Sequence, residues 1–258
     1  MDERGGFIEK GQWYRSIFSL IPAAGFAIAV LAALLAAMAG PGSRFGLWHF
    51  RTGFSLLKWA AYGGAASIAV SLAGLITRLR TKTGFPVLSA VGALLGFAVF
   101  FVPLMWWYTA KTVPPIHDIT TDTENPPEFV AVVPLRAGSP NSTEYGGVEV
   151  AEEQGLAYPY IRPLVLKLPV DEAFKKALGA AGKMGWEIVA AEPGEGRIEA
   201  IDTTFWFGFK DDIVIRITPL EGAALVDVRS LSRVGRSDVG TNARRIRKYL
   251  KVLDSMQP

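Results

Sequence analysis

The chain has 258 residues, half of them hydrophobic and a fifth charged, with a formal net charge of +3. It contains no cysteine, which excludes a disulfide framework, a thiolate nucleophile and any cysteine-ligated zinc or iron–sulfur centre. The charge is unevenly placed. Residues 1–111 carry four Lys and six Arg against three acids, net +7, while residues 112–258 carry seven Lys and ten Arg against 21 acids, net −4. The basic balance is therefore no reason to expect a nucleic-acid partner. The cation excess sits in the apolar half, where it sets orientation.

Three runs near the N-terminus carry no charge: Ser16–Ser43, Trp59–Thr77 and Thr83–Ala110. An apolar run of about 18 residues or more is long enough to cross the roughly 30 Å hydrocarbon core as a helix. Three membrane spans are predicted, at about 16–40, 55–77 and 85–108, in a transmembrane region covering 1–110. The first is too long for the apolar part of a signal peptide and no small-x-small cleavage site follows, so it reads as a retained helix.

Trp13, Tyr14, Trp48, Trp106, Trp107 and Tyr108 fall at span ends, where amphipathic rings favour the headgroup level. Arg4, Lys10 and Arg15 precede span one and Arg78, Arg80 and Lys82 join spans two and three. The opposite side has only Arg44, Arg51 and Lys111. Cations stay cytoplasmic, so the N-terminus is expected in the cytoplasm and the C-terminal part outside it. No ionisable residue lies mid-span, which argues against a transporter or pump.

Small residues recur at four-residue spacing, at Gly63, Ser67 and Ser71 in span two and at Gly92 and Gly96 in span three. Such spacing lets helix backbones approach closely. Packing of the three spans on one another is the first reading. The alternative is a homo-oligomer or a membrane-protein partner held through Gly92 and Gly96.

After the spans, Thr109–Glu128 reads as an extended tether because Pro114, Pro115, Pro126 and Pro127 oppose helix. Ala137–Gly155 reads as a long surface loop, so 111–162 is taken as tether plus loop and 163–258 as a folded domain. There Leu164–Leu168 is a predicted strand, Asp171–Met184 a helix ended by Gly185, and Trp186–Ala191 a strand. Pro193–Gly196 turns into a strand from Arg197 to Phe207. Asp211-Asp212 reads as part of a turn, with Asp212–Thr218 as the next strand, on which Ile213, Ile215 and Ile217 share one face. Ala224–Leu231 is a strand, and Asp238–Asp254 a helix with Val239, Ala243, Ile246, Leu250 and Leu253 as its apolar stripe. The order β-α-β-β-β-β-α predicts an α+β two-layer domain, an antiparallel sheet with helices on one face, helix-grip-like.

Several blocks carry a family resemblance: His117-Asp118-Ile119-Thr120-Thr121-Asp122 before Pro126-Pro127; Tyr158-Pro159; Gly185-Trp186; Glu199-Ala200; Phe209-Lys210-Asp211-Asp212; and the long run from Asp227 through Arg233-Val234-Gly235-Arg236-Ser237 to Ile246. Over about 112–254 the chain resembles the family catalogued as domain of unknown function 1499. That resemblance implies a bacterial envelope location and no particular activity.

The sequence offers few sites for chemistry. His117, Asp118 and Asp122 are a candidate metal set, weighed against capping of turns by Asp118, Thr121 and Asp122. Arg233, Arg236, Ser237 and Asn242 surround the predicted start of the last helix, where free N–H groups and arginine forks favour an anion. Arg229 and Arg216 complete that candidate set. The competing reading is an internal ladder of Arg216, Asp227, Arg229 and Glu199, with Asp238 capping the helix. No nucleophile elbow, phosphate loop or dinucleotide fingerprint is present, and no cofactor is implied.

The expected function is a non-catalytic periplasmic domain on an inner-membrane anchor, binding a partner protein or an amphipathic or anionic envelope ligand. The alternatives are a hydrolase or transferase acting on an envelope anion at the Arg-rich loop, and an accessory subunit of a larger membrane complex.

Overall fold

A computed structural model describes residues 3–81 and 86–256, with side chains over 20–80 and 86–256. The chain divides into two compact units, Met1–Tyr108 and Thr109–Pro258. Lys82 and the side chains of Arg4, Lys10 and Arg15, which entered the orientation argument, and those of Trp13 and Tyr14, which marked a span end, lie outside the described part.

The first unit is three helices, α1 (Glu3–Arg44), α2 (Phe50–Thr81) and α3 (Val87–Thr112). Leu20–Arg44, Phe50–Arg80 and Val87–Thr112 are each long and apolar enough to cross a membrane. Gly92 and Gly96 are buried within this unit. A Cβ on Gly92 would lie 2.6 Å from Ser71 Oγ and 3.1 Å from the Phe26 backbone, and one on Gly96 would lie 2.8 Å from Gly64 O. Ser67 Oγ sits 2.9 Å from Gly25 O on α1 and 3.1 Å from Gly92 O on α3, so one hydroxyl on α2 joins all three helices. The small residues thus serve packing inside the bundle. A homo-oligomer through Gly92 and Gly96 is corrected by this geometry, since their faces are already filled by α1 and α2.

The second unit is an antiparallel sheet of six strands among the described residues. They are β1 (Asp118–Thr120), β2 (Leu164–Leu166), β3 (Glu187–Glu192), β4 (Arg197–Thr203), β5 (Lys210–Leu220) and β6 (Ala223–Ser232). The spatial order is β1-β6-β5-β4-β3, with β2 also on β6. β5 pairs along the whole of β6, so β1 and β2 share its other edge, β1 opposite Arg229–Leu231 and β2 opposite Ala224–Val226. α4 (Gly147–Ala157), α5 (Val170–Lys183) and α6 (Thr241–Asp254) complete the unit.

Period-two alternation places Ile213, Ile215, Ile217, Val226, Val228 and Ile198 on one face, where they meet Phe174 and Ala177 of α5 and Ile246, Tyr249 and Leu253 of α6. Tyr249 stacks on Trp186 at 5.0 Å and donates its hydroxyl hydrogen to Ala177 O. Burying a side chain such as Phe174 or Ile215 stabilises the fold by about 2 kcal/mol each.

Five expectations are corrected. Residues 109–128 are not all tether: Asp118–Thr120 forms β1. Residues 147–157, read as loop, form α4, whose Gln154 accepts from Thr120 N at 2.9 Å and donates to Thr120 O at 2.7 Å. That side-chain amide takes the place of a further strand on the free edge of β1. The strand from Arg197 stops at Thr203. Residues 204–209 turn instead, with Gly208 at φ 71° and Thr204 Oγ1 accepting from Phe209 N. Asp211 and Asp212 lie inside β5 rather than in a turn, because each buried carboxylate has an arginine waiting for it. Finally, α6 begins at Thr241, since Val239 (φ 54°) and Gly240 (φ 73°) are left-handed and cannot be helical.

Candidate functional site

The second face of the sheet is polar, and it is covered. Register sets Arg197, Arg216 and Asp227 in one row, Glu199, Val214 and Arg229 in the next, and Ile201, Asp212 and Leu231 in a third. Residues 121–145 lie over these rows as a strap. Phe129 and Val132 of the strap fill a small apolar cluster with Ile201, Val214 and Leu231. Beside that cluster, ion pairs and hydrogen bonds hold the strap to the sheet.

Arg229 is 3% exposed. Its fork grips Asp118 through Nε at 3.0 Å and Nη2 at 2.7 Å. The guanidinium also donates to Pro127 O at 3.1 Å and Thr143 O at 2.7 Å. The rings of Phe129 and Tyr145 lie 4.9 and 5.5 Å from its Cζ. Burial, helped by the Asp118 charge and opposed by Arg229, pushes the Tyr145 hydroxyl up to about 12.

Glu199, fully buried, accepts from three successive backbone N–H groups of the strap, Val130, Ala131 and Val132, at 2.9–3.0 Å. Its remaining partner is Arg197. The Arg197 guanidinium is pulled down by burial, but hydrogen bonds and charges from Glu195 and Glu199 outweigh that and leave it raised. Asp212, also fully buried, holds Arg233 in a fork and Arg136 from the strap. Burial lowers the Arg136 guanidinium below its ordinary value despite that pairing. Arg216 bridges Asp122 at 2.8 Å and Asp227 at 2.9 Å and donates to Asn125 O.

The expected anion set is not one cluster. Arg216, Arg229 and Arg233 reach carboxylates on the strap-covered face. Arg216 stands opposite Asp227, six residues along the chain from position 233, roughly 20 Å at strand rise. Asn242 is on the other side of the sheet, on the buried face of α6 in its first turn. There it donates to His117 O and Ser232 Oγ and accepts from Ser230 Oγ. Ser237 Oγ donates to Pro114 O and accepts from Val239 N. Arg236 is exposed, and its guanidinium has no partner among the described residues.

The N–H groups at the start of α6 are already met by an anion from the chain itself. Asp238 accepts from Gly240 N at 2.8 Å and Asn242 N at 2.6 Å. Burial pushes its carboxyl above the ordinary 3.8, the two backbone hydrogen bonds pull it down, and the Asp211 charge adds to the rise. A carboxyl raised on folding contributes stability that is complete below pH 3.8 and is lost as pH climbs through the raised value. Replacement of Asp238 by alanine is expected to remove both caps and cost about 1 kcal/mol at neutral pH. The deficit should widen as pH falls toward 4, which urea midpoints across that range will check.

The candidate metal set is likewise dispersed. Asp118 belongs to Arg229. Asp122 reaches Arg216 and accepts from Glu124 N and Asn125 N in a turn. His117 Nδ1 lies 3.4 Å from Arg236 O. Among the described residues no three His, Asp or Glu side chains converge on a metal-sized site.

Two buried groups escaped the sequence reading. Arg136 sits in a stretch with no periodicity to flag it. Arg245 sits in a basic run that reads as solvated, yet it is 6% exposed and pairs with Asp202 at 2.8 Å and Asp211 at 2.5 Å, carboxylates that hold its guanidinium above the ordinary value against the cost of burial.

A cleft of about 300 Å³ lies between strap and sheet on this face. Asn125, Pro126, Pro127, Glu128 and Val130 line it from the strap, and Glu195, Arg197, Val214 and Arg216 from the sheet. Arg216 Nε is buried and has no hydrogen-bond partner among the described residues.

No curated protein matches the chain. The model of one family, described as protein of unknown function (DUF1499), matches residues 118–253. That match begins at the first residue of β1, ends one residue short of the end of α6, and takes in the whole strap together with every carboxylate that fixes it. With just over half of its length inside that match, the chain belongs to the DUF1499 family.

Proposed function

We propose that this is an integral membrane protein of the bacterial inner membrane whose three helices anchor a non-catalytic, extracytoplasmic binding domain. The N-terminus is cytoplasmic and the α+β domain, of helix-grip type in our reading, is periplasmic. The positive-inside balance of the loops supports that orientation. The domain holds a small envelope ligand bearing an acceptor oxygen, such as a phosphate or carboxylate headgroup.

The observation that carries this is the Arg216 side chain. Its two terminal nitrogens are satisfied by Asp122, Asp227 and Asn125, while its Nε–H, buried within a residue that lines the cleft, has no acceptor among the described residues. A buried donor without a partner costs about 1–3 kcal/mol, and a ligand oxygen in the cleft would remove that cost. The other arginines of the face are engaged by internal carboxylates, which supports binding over catalysis. Both glutamates of the lining favour a zwitterionic ligand over a multiply charged anion.

The test is native mass spectrometry of the full chain extracted from membranes in detergent. A headgroup-sized or lipid adduct is expected on the wild type and lost on Val130→Trp, which fills the cleft and removes no charge. Recovery of the chain without detergent, or identical adducts on both proteins, overturns the reading.

A further inference from the structure

Arg244, Arg247, Lys248 and Lys251 are exposed on α6. Their spacing, i, i+3, i+4 and i+7, puts them on one stripe of the helix. Among the described residues none of the four pairs with a carboxylate. Arg244 donates to Val239 O and Thr241 Oγ1, and Arg247 lies over the Tyr160 ring at 5.0 Å. α6 has no acid before Asp254.

This stripe is out of keeping with its surroundings twice over. Residues 112–258 are net negative, with 17 Lys and Arg against 21 acids. Within the helix, Arg244 above Lys248 and Arg247 above Lys251 are like charges one turn apart, an arrangement that opposes helix formation. Arg244 also stands in the first turn, where the helix dipole disfavours a cation. Local stability therefore does not account for the stripe, whereas an anionic surface does.

We infer that the outer face of α6 docks on anionic phospholipid headgroups. The charge complementarity is direct, and covalent continuity with three apolar helices gives this domain a bilayer as a permanent neighbour. The inference rests on the anchoring half of the function proposed above and is independent of the cleft. Tyr160, half-exposed beside Arg247, supplies an aromatic ring of the kind that settles at the headgroup level.

The absence of cysteine allows a unique label. Ser255 is exposed one turn beyond Lys251, on the same stripe. Full-length Ser255→Cys carrying an environment-sensitive fluorophore is placed in nanodiscs of phosphatidylcholine alone or mixed with phosphatidylglycerol, and acrylamide quenching is measured. Protection is expected only with phosphatidylglycerol, and it should disappear at high salt. Each basic residue near such a surface strengthens partitioning by roughly fivefold, so the R244Q/R247Q/K248Q/K251Q variant should lose protection altogether. If that variant fails to fold by circular dichroism, K248Q/K251Q carries the test with a partial loss.

Equal quenching in the two lipid mixtures overturns the proposal, as does protection that survives neutralisation of the stripe. Protection that appears only in native membranes assigns the surface to an acidic protein instead and also overturns it. A chain that does not enter nanodiscs refutes the anchoring itself, an outcome distinct from an anchored chain whose α6 stays in water.

Discussion

Replacing Arg229 with methionine is expected to cost about 3–5 kcal/mol, a large share of the roughly 5–15 kcal/mol by which a typical domain is stable. The side chain is 3% exposed and closes five separate interactions: a fork on Asp118, the carbonyls of Pro127 and Thr143, and the faces of two aromatic rings. Methionine fills similar volume but leaves Asp118, itself 4% exposed, as an uncompensated charge. The cost should therefore come from the orphaned carboxylate more than from lost attraction. That account has a sharp consequence. Adding Asp118→Asn to Arg229→Met should recover a large share of the loss, because a neutral amide is far less expensive to bury than a carboxylate. Arg229→Lys should fall between, since an ammonium keeps the charge but cannot make the fork. Denaturant midpoints of the four proteins in detergent decide the matter. If the double variant is no better than Arg229→Met alone, burial of charge is not what holds β1 and the strap to the sheet.

The regular half of the domain was legible because its signal is local. Ile213, Ile215 and Ile217 recur at every second position, Gly185 stops a helix, and three uncharged runs announce three apolar helices. The alternation also marked Glu199, Arg216, Asp227 and Arg229 as one polar face, which register bears out. What sequence could not say is what lies over that face. Alternation distinguishes inward from outward, and a polar face over water reads the same as a polar face under a strap. The contacts that settle it join residues far apart, Asp118 to Arg229 and Arg136 to Asp212, and the strap between them has no period of its own.

The last helix shows the same limit in a second form. Its buried residues are Asn242, Ala243, Arg245, Ile246, Tyr249 and Leu253, whereas the apolar stripe alone places Leu250 inward and every arginine outward. Arg245 turns in because Asp202 and Asp211 are there to receive it, and that information is carried by two other strands. The anion expected at the start of this helix was a sound inference from its free N–H groups. The chain supplies that anion itself, from Asp238.

Glu199→Gln tests whether the strap is fixed at one point or many. The Glu199 carboxylate takes Val130 and Ala131 on one oxygen and Val132 on the other, at the entry to the 3-10 turn Val133–Arg136. Glutamine keeps the shape but offers a single acceptor oxygen, and its NH2 group would point at a backbone donor. Hydrogen bonds to a charged acceptor contribute about 1.5–3 kcal/mol each, and with one or two of three lost a stability loss of about 2–4 kcal/mol is expected on that scale. The loss should be local first. Amide exchange at 130–132 should accelerate by one to two orders of magnitude, about 1.4–2.8 kcal/mol of protection, while the amides of β5 and β6 change less. Arg197 retains Glu195, so the variant leaves no lone cation to confuse the result. Uniform acceleration across strap and sheet would mean that the two open together, and the strap would then be an integral layer of the core rather than a segment latched onto it by Glu199.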